Sequence, residues 1–344
     1  MTEPALKRPL TRSRVALLSS ALGLLLLCVA GVSLLLGTAD ISWDQILGLV
    51  TGEEGQSDYA RLILFEIRLP RILLAGLVGF ALALGGVIFQ ALLRNPLADP
   101  FILGVSSGSA FGAILGIVLG FGFSIGVPVM SFAGALLTIA ILLQISARKM
   151  GMESSTILLT GVIINAFFTS IIMFFISVSA DAKLHSMLYW LYGDLSQTKF
   201  EYLLFIGPVL LVATFMLYRL SGQLNLLTAG EETALQLGVE VKKTKRSLLV
   251  LVSVLIGTVV AFSGLIGFVG LMVPHLVRMM FGADHRLLIP LASLGGAAFL
   301  IAADTLARTV ISPSELPVGV ISAFLGAPFF IYLLRTKGSQ WDRS

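Results

Sequence analysis

Long apolar stretches, separated by short segments where charges and prolines gather, set the pattern of this chain from residue 15 onward. A helix needs about 20 mostly apolar residues to cross a bilayer. Ten stretches meet or approach that length: 15–37, 69–93, 101–120, 127–147, 155–178, 200–220, 247–263, 265–282, 286–306 and 317–335. The seventh and eighth are short and are interrupted by Gly264, Gly267 and Gly270, so the break between them is the least defined in the chain. The pattern predicts an all-α polytopic membrane protein of about ten transmembrane helices, forming a single transmembrane domain over 1–344.

The first apolar run follows Lys7, Arg8, Arg12 and Arg14, as the apolar core of a signal peptide would. It spans 15–37, however, and has no A-x-A cleavage pattern. Cys28 follows Leu27 inside the run and the apolar residues continue past it, which also argues against a lipoprotein site. The run is therefore expected to stay as the first helix.

Composition agrees with this reading. Of the 344 residues, 57% are hydrophobic and only 12% charged, where a soluble domain carries about 25% charged residues. The single cysteine rules out an intrachain disulfide framework, and nothing points to nucleic-acid binding. Placing the N-terminus in the cytoplasm puts most of the 23 basic residues inside, including Arg94, Arg148, Lys149, Arg219, Lys242, Lys243, Lys245, Arg246, Arg278, Arg286, Arg335, Lys337 and Arg343. That asymmetry satisfies the positive-inside rule, and an even helix count then puts both termini in the cytoplasm. The expected layout is a cytoplasmic tail at 1–14, an outward loop at 38–60, a long inward loop at 221–246 and a cytoplasmic tail at 336–344. Within the outward loop, ISWDQILGLV reads as a short amphipathic helix lying on the membrane surface.

A weak internal repeat also emerges. Gly79, Ala83, Gly86, Ile88, Leu93 and Pro96 fall, at a constant offset, on Gly257, Ala261, Gly264, Ile266, Leu271 and Pro274. The two segments run in opposite directions across the membrane, which is the inverted arrangement common among transporters. Many of the 35 glycines recur every three or four residues, as in GLVGFALALGG, a spacing that lets helix backbones approach closely in lipid.

The segment NPLADPFILGVSSGSAFG, Asn95 to Gly112, tests whether the chain carries catalytic chemistry. Gly104 to Gly108 fits G-x-S-x-G around Ser106, but a nucleophile elbow needs a strand–turn–helix context, and here the motif lies between two membrane helices. Only His185, His275 and His285 could act as a base, and none is expected near Ser106. Pro96 and Pro100 instead mark the break from which the third helix starts. The sequence has no metal-ligand cluster and no Gly-Lys pair, so a P-loop is excluded and any ATP-driven step needs another polypeptide. Ion-coupled secondary transport is the alternative class. It wants an acid in mid-membrane, and the nearest candidate, Asp304, precedes Arg308 by one helical turn and so reads as half of an ion pair.

The stretch RLPRILLAGLVGFALALGGVIFQALLRNPLADPFILGVSSGSAFG from Arg68 resembles the FecCD-type permeases of type II ABC importers, which take up iron–siderophore complexes, haem or cobalamin. LLTAGEETALQLGV at 226–239, GLIGFVGLMVPHLVR at 264–278 and ELPVGVISAFLGAPFFIYLL at 315–334 continue the likeness in the same order. The resemblance implies a ten-helix permease of the bacterial inner membrane that is not itself an enzyme and carries no cofactor. It implies a homodimer embedded in membrane lipid, two ATP-binding subunits and a periplasmic substrate-binding protein, with no nucleic-acid partner. It also assigns roles. Arg68, Arg71 and Arg308 would meet acidic residues of the binding protein on the outer face. Asn95, Leu97, Ser154 and Ser155 would form the cytoplasmic gate. Leu226, Ala229, Gly230, Glu231, Leu235, Leu237 and Gly238 would belong to the short helices that couple to the ATPase. The cargo is expected to be a metal chelate, most often iron–siderophore in this family, moved by alternating access.

Overall fold

A computed structural model describes residues 11–38, 60–99, 101–148 and 153–341. The amphipathic helix expected at 41–50, Pro100, and the basic residues Lys7, Arg8, Lys149 and Arg343 lie outside those residues. The described chain is helical throughout. The apolar elements of the first half are α1 (Arg12–Leu35), α2 (Leu69–Leu92), α3 (Val105–Val118), α4 (Gly126–Arg148) and α5 (Ser154–Val178). After the short α6 (Asp181–Tyr192) come α7 (Phe200–Arg219), α8 (Ser221–Ala229), α9 (Glu231–Gln236), α10 (Val241–Ser263), α11 (Val269–Phe281), α12 (His285–Thr309) and α13 (Val318–Trp341). Seven of the described helices are long and apolar enough to span a bilayer, and α3, α11 and the first part of α13 are shorter apolar helices. Each of the ten expected stretches therefore has its helix.

The differences have local causes. The third stretch was expected to be helical from 101, but α3 begins at Val105, because Gly104 takes a left-handed φ of 80° and ends the preceding turns. The seventh stretch ends at Ser263 and the eighth begins at Val269. Gly264 (φ 66°) and Phe268 (φ 68°) both leave the helical region, which settles the break that the sequence left open. The α6 helix was not expected. Its Met187 and Trp190 lie three residues apart on one buried face, and it packs against α3.

The central element is α2, whose 24 residues span about 36 Å. It enters through a π-helical turn at Leu62–Arg68, closed by the Leu69 N–H donating to Leu64 O. Pro70 follows immediately; a proline offers no N–H to a regular turn and crowds the carbonyl four residues back, and the wider turn accommodates it. From Val78 onward nearly every α2 side chain is buried, against α12 on one side and α10 and α11 on others. Glycine makes this possible. A Cβ at Gly79 would strike the carbonyl of Gly296 in α12, and one at Gly86 would strike the carbonyl of Gly270 in α11. Lipid tails give apolar helices little reason to associate, so close backbone contact of this kind supplies much of the attraction.

The apparent repeat holds over only part of its length. Gly79 and Gly257 both sit inside long helices, but Gly86 is mid-helix in α2 whereas Gly264 terminates α10. Beyond that point the two halves differ: Pro96 lies in a loop and Pro274 inside α11.

The glycine contacts are directly testable. Gly86→Ala should cost about 1–3 kcal/mol through overpacking. Gly31→Ala on α1, where an added Cβ meets nothing within 4 Å, should leave stability unchanged or slightly raised. Thermal unfolding of the two purified variants in the same detergent checks the contrast.

Candidate functional site

At the end of the bundle where α2 begins, three arginines and two acids interlock. Arg71 Nε donates to Asp304 Oδ1 at 3.0 Å and to Oδ2 at 3.1 Å, and its Nη1 donates to Glu315 Oε2 at 2.6 Å. Arg308 Nε completes the set with an ion pair to Asp304 Oδ2 at 3.1 Å. Asp304 is therefore shared by two guanidinium groups, as its spacing from Arg308 suggested, and it is 1% exposed. Arg68 does different work. Its Nη1 donates to Leu34 O at 2.8 Å and Leu35 O at 3.0 Å, and Arg308 Nη2 donates to Ser33 Oγ at 2.8 Å. The last carbonyls of a helix have no partner within it, and lipid offers none. Arg68 and Arg308 thus cap α1 and bind it to the bundle. Gly37 lies beside them, and a Cβ there would come within 2.6 Å of Arg68 Nη2, so a larger residue would displace the guanidinium.

The sequence placed Arg68, Arg71 and Arg308 together on the outer face, and the structure brings the three together at one end of the bundle, where they are buried, at 3%, 5% and 3% exposure. Their charge is already engaged within the chain, because an unpaired guanidinium in this setting would be costly. They do line, with Thr38 and Glu315, a cavity of about 250 Å³. Three cations against two carboxylates leave one positive charge in excess there.

At the opposite end, the loop after α2 is a chain of side-chain-capped turns. Asn95 Oδ1 accepts from Leu97 N–H at 2.9 Å, and Asp99 Oδ1 accepts from Phe101 N–H at 2.8 Å. Burial pushes the Asp99 carboxyl up to about 6, and the Phe101 hydrogen bond opposes this only in part. Ser107 Oγ donates back to Gly104 O at 3.0 Å, while Ser106 Oγ is buried without a hydrogen-bond partner. With no base touching it, Ser106 has no activated nucleophile character. Asn95 is exposed and Leu97 half-buried. Ser154 Oγ donates to Leu92 O at 3.0 Å, which brings the start of α5 onto the end of α2. Ser155, next to it, is exposed.

Beside this loop, α8 and α9 form a helical hairpin turned at Gly230, whose φ of 137° suits glycine alone. Leu226, Gly230 and Glu231 are half-buried, whereas Ala229, Leu235, Leu237 and Gly238 are exposed. Leu235 and Leu237 project two large apolar side chains at 58% and 62% exposure. The hairpin is held by polar contacts that sequence reasoning missed. Asn225 Nδ2 donates to Asp284 Oδ1 at 2.9 Å, and Asn225 Oδ1 accepts from the His285 backbone N–H at 2.9 Å. Thr244 Oγ1 donates to Gln223 Oε1 at 3.0 Å, and Lys245 Nζ donates to Glu231 Oε1 at 2.6 Å. Of these partners only Asp284 carried a sequence signal, as an acid just before a helix start.

Comparison with known proteins places this geometry in context. The model of the FecCD transport family matches residues 24–336. The chain is 43% identical to the cobalamin import system permease protein BtuC of Halobacterium salinarum, covering 82% of this chain and 76% of the relative. It is 41% identical to the hemin transport system permease protein HmuU of Yersinia pestis, covering 93% and 96%. A solved structure described as an inward-facing conformation of a metal-chelate type ABC transporter superposes with a TM-score of 0.83 at 36% identity, covering 92% of this chain and 98% of that one.

Two outcomes follow from the geometry of the two ends. Asp304→Ala leaves Arg71 with Glu315 alone and takes from Arg308 its ion pair, and should cost about 3–5 kcal/mol of stability, read as a fall in the melting temperature of the purified chain. Asp99 has a folded pKa of about 6 against an ordinary 3.8, so its ionisation opposes folding above that range and the penalty disappears as pH falls through it. Asp99→Asn keeps the turn acceptor, and the melting temperature of the wild type relative to this variant should rise between pH 7 and pH about 4.

Proposed function

The chain belongs to the FecCD transport family and is a multi-pass permease subunit of an ABC importer in the inner, cytoplasmic membrane. From that premise we propose that two copies form the membrane part of an importer that carries a metal chelate into the cytoplasm by alternating access. A separate pair of ATP-binding subunits drives the cycle, and a substrate-binding protein delivers the cargo at the Arg71 end. The cytoplasm then lies at the Leu92 end, as the distribution of basic residues implies.

The observation that carries this reading is the α8–α9 hairpin. It is bonded firmly to the starts of α10 and α12, yet it turns Leu235 and Leu237 outward. A rigid hairpin displaying two apolar knobs beside charged residues suits insertion into a partner's cleft, where burying those knobs would supply the affinity. Sited on the inward loop, that partner is the ATPase.

The arginine cavity supports the delivery step. An acidic side chain entering it would meet the excess positive charge and could take over Glu315's place on Arg71. Such pairing fixes register and speeds encounter more than it adds affinity. At the other end, Asn95, Leu97, Ser154 and Ser155 form the gate, where the α2–α3 loop meets the start of α5. Ion-coupled transport loses its candidate, because Asp304 is already held by two arginines.

The cargo is a ferric siderophore, haem or cobalamin. The relatives named for cobalamin and hemin put those two beside the ferric siderophores that the family resemblance favours, and uptake of each by cells with and without this chain separates the three.

The decisive experiment is purification from the native host in mild detergent. The wild type should carry a P-loop ATPase at equal stoichiometry, identified by mass spectrometry. The double variant Leu235→Glu/Leu237→Glu should fold normally and lose it. Retention of the ATPase by that variant rejects the docking assignment. A wild-type chain recovered folded and alone, reproducibly, rejects the ATP-driven reading.

A further inference from the structure

A cavity of about 680 Å³ opens at the Leu92 end, between the end of α2, the hairpin helix α8, α11 and the start of α12. Arg94 and Thr228 are exposed at its mouth, and Gln90 and His285 are buried in its floor. Two arginines, Arg94 and Arg278, line it, and among the described residues no carboxylate does. Two acids of the same region are engaged elsewhere. Asp284 Oδ1 accepts from Asn225 Nδ2 and from the Arg286 N–H, and Glu231 Oε1 accepts from Lys245 Nζ. Arg94 Nη2 is 3.9 Å from that Glu231 oxygen, too far for a hydrogen bond. Arg278 forms no ion pair or hydrogen bond among the described residues, and its charge acts on His285.

The floor carries a second signal. Asn225 Nδ2 is used as a donor, so Asn225 Oδ1 is an acceptor, and His285 Nδ1, 2.7 Å from it, must hold the ring hydrogen. In the neutral imidazole Nε2 is then an acceptor, and it is buried without a hydrogen-bond partner. Gln90 is alike. Its Nε2 donates to Leu271 O at 3.3 Å, which leaves Oε1 as an acceptor, also buried and without a partner. An acceptor enclosed in this way is unfavourable until a donor reaches it.

We propose that this cavity is a phosphate site, in which Arg94 and Arg278 hold the anion and its P–OH group donates to His285 Nε2. The ligand must bring negative charge and a hydrogen-bond donor together. A carboxylate or a sulfate brings the charge alone near neutral pH. A hydrogen phosphate brings both, and its oxygens suit the planar fork of a guanidinium. The volume is that of a small-molecule site, with room for the phosphate and for water or the rest of a phosphorylated molecule. Asn95 and Leu97 line the same cavity, so an occupied site ties the α2–α3 loop to α11 and α12. The site stands on the cavity itself; the importer reading adds only that it faces the cytoplasm. The phosphate comes either from solution or from a lipid headgroup of the inner leaflet.

The test is equilibrium binding of radiolabelled inorganic phosphate to the full-length chain, purified in mild detergent with any subunits that accompany it, near neutral pH in a buffer free of phosphate and sulfate. The wild type should bind one phosphate per copy, and sulfate should compete about tenfold or more weakly, because it has no hydrogen to give Nε2. Arg278→Gln should weaken phosphate binding about tenfold or more. If that variant does not fold, Arg94→Asn takes its place, since asparagine accepts the left-handed φ of 48° found at Arg94. His285→Asn keeps a donor for Asn225 and removes the atom at Nε2, and should bring phosphate down to the affinity of sulfate. That loss of selectivity separates a ligand contact from a merely structural histidine. No phosphate bound at millimolar concentration, wild-type affinity in Arg278→Gln or in the Arg94→Asn that replaces it, or equal competition by sulfate in the wild type overturns the site. Repeating the measurement in phosphatidylcholine nanodiscs with and without phosphatidic acid identifies the source. Displacement of the label by phosphatidic acid assigns the site to a lipid headgroup, and retention of the label assigns it to soluble phosphate.

Discussion

Every polar group within the lipid-embedded part of this chain must find its partner inside the protein, because hydrocarbon offers none. Most of the architecture follows from that constraint. Backbone groups pair within helices, which is why the described residues form no strand. Where a helix ends at depth, its free carbonyls draw in side chains: Arg68 reaches two carbonyls of α1, and Ser154 reaches Leu92 O. Charges that do lie inside occur in groups that compensate one another, as Asp304 does for Arg71 and Arg308.

The two functional ends share one rigid connector. Helix α2 begins among the arginines and finishes at the carbonyl held by Ser154, and glycine contacts pack it directly against the backbones of α11 and α12. A tightly packed helix cannot bend to absorb a push at one end, so displacement there is carried to its neighbours as a body. The proposed importer cycle uses this property, with delivery met at one face and energy applied at the other. The polar contacts at each end are few and directional, and they can exchange partners while the apolar middle stays intact.

The same economy explains why the arginines of this end are buried. A guanidinium at the rim of a membrane protein either faces water or is neutralised, and here neutralisation by Asp304 and Glu315 also fastens α2, α12 and the loop before α13 together. Any partner acid must therefore compete with an internal one. On the proposed reading, docking is an exchange of ion pairs, whose selectivity depends on geometry more than on charge alone.

Much of this protein could be read from its sequence. Apolar runs of membrane length marked ten helices, because lipid selects on composition and length and both are linear properties of the chain. Pro96 and Gly264 marked breaks, because their backbone preferences act locally. The Asp304–Arg308 pair was visible because helical spacing places i and i+4 side by side. What required the tertiary structure was every contact between residues far apart in the chain. Arg71 meets Asp304 and Glu315 only once α2, α12 and the following loop are packed, and Lys245 reaches Glu231 and Ser154 only once α5, α9 and α10 converge. In the sequence Lys245 is one cation in a basic cluster at 242–246. Packing alone buries this member of the cluster, and burial turns an ordinary surface charge into one that must keep its partner.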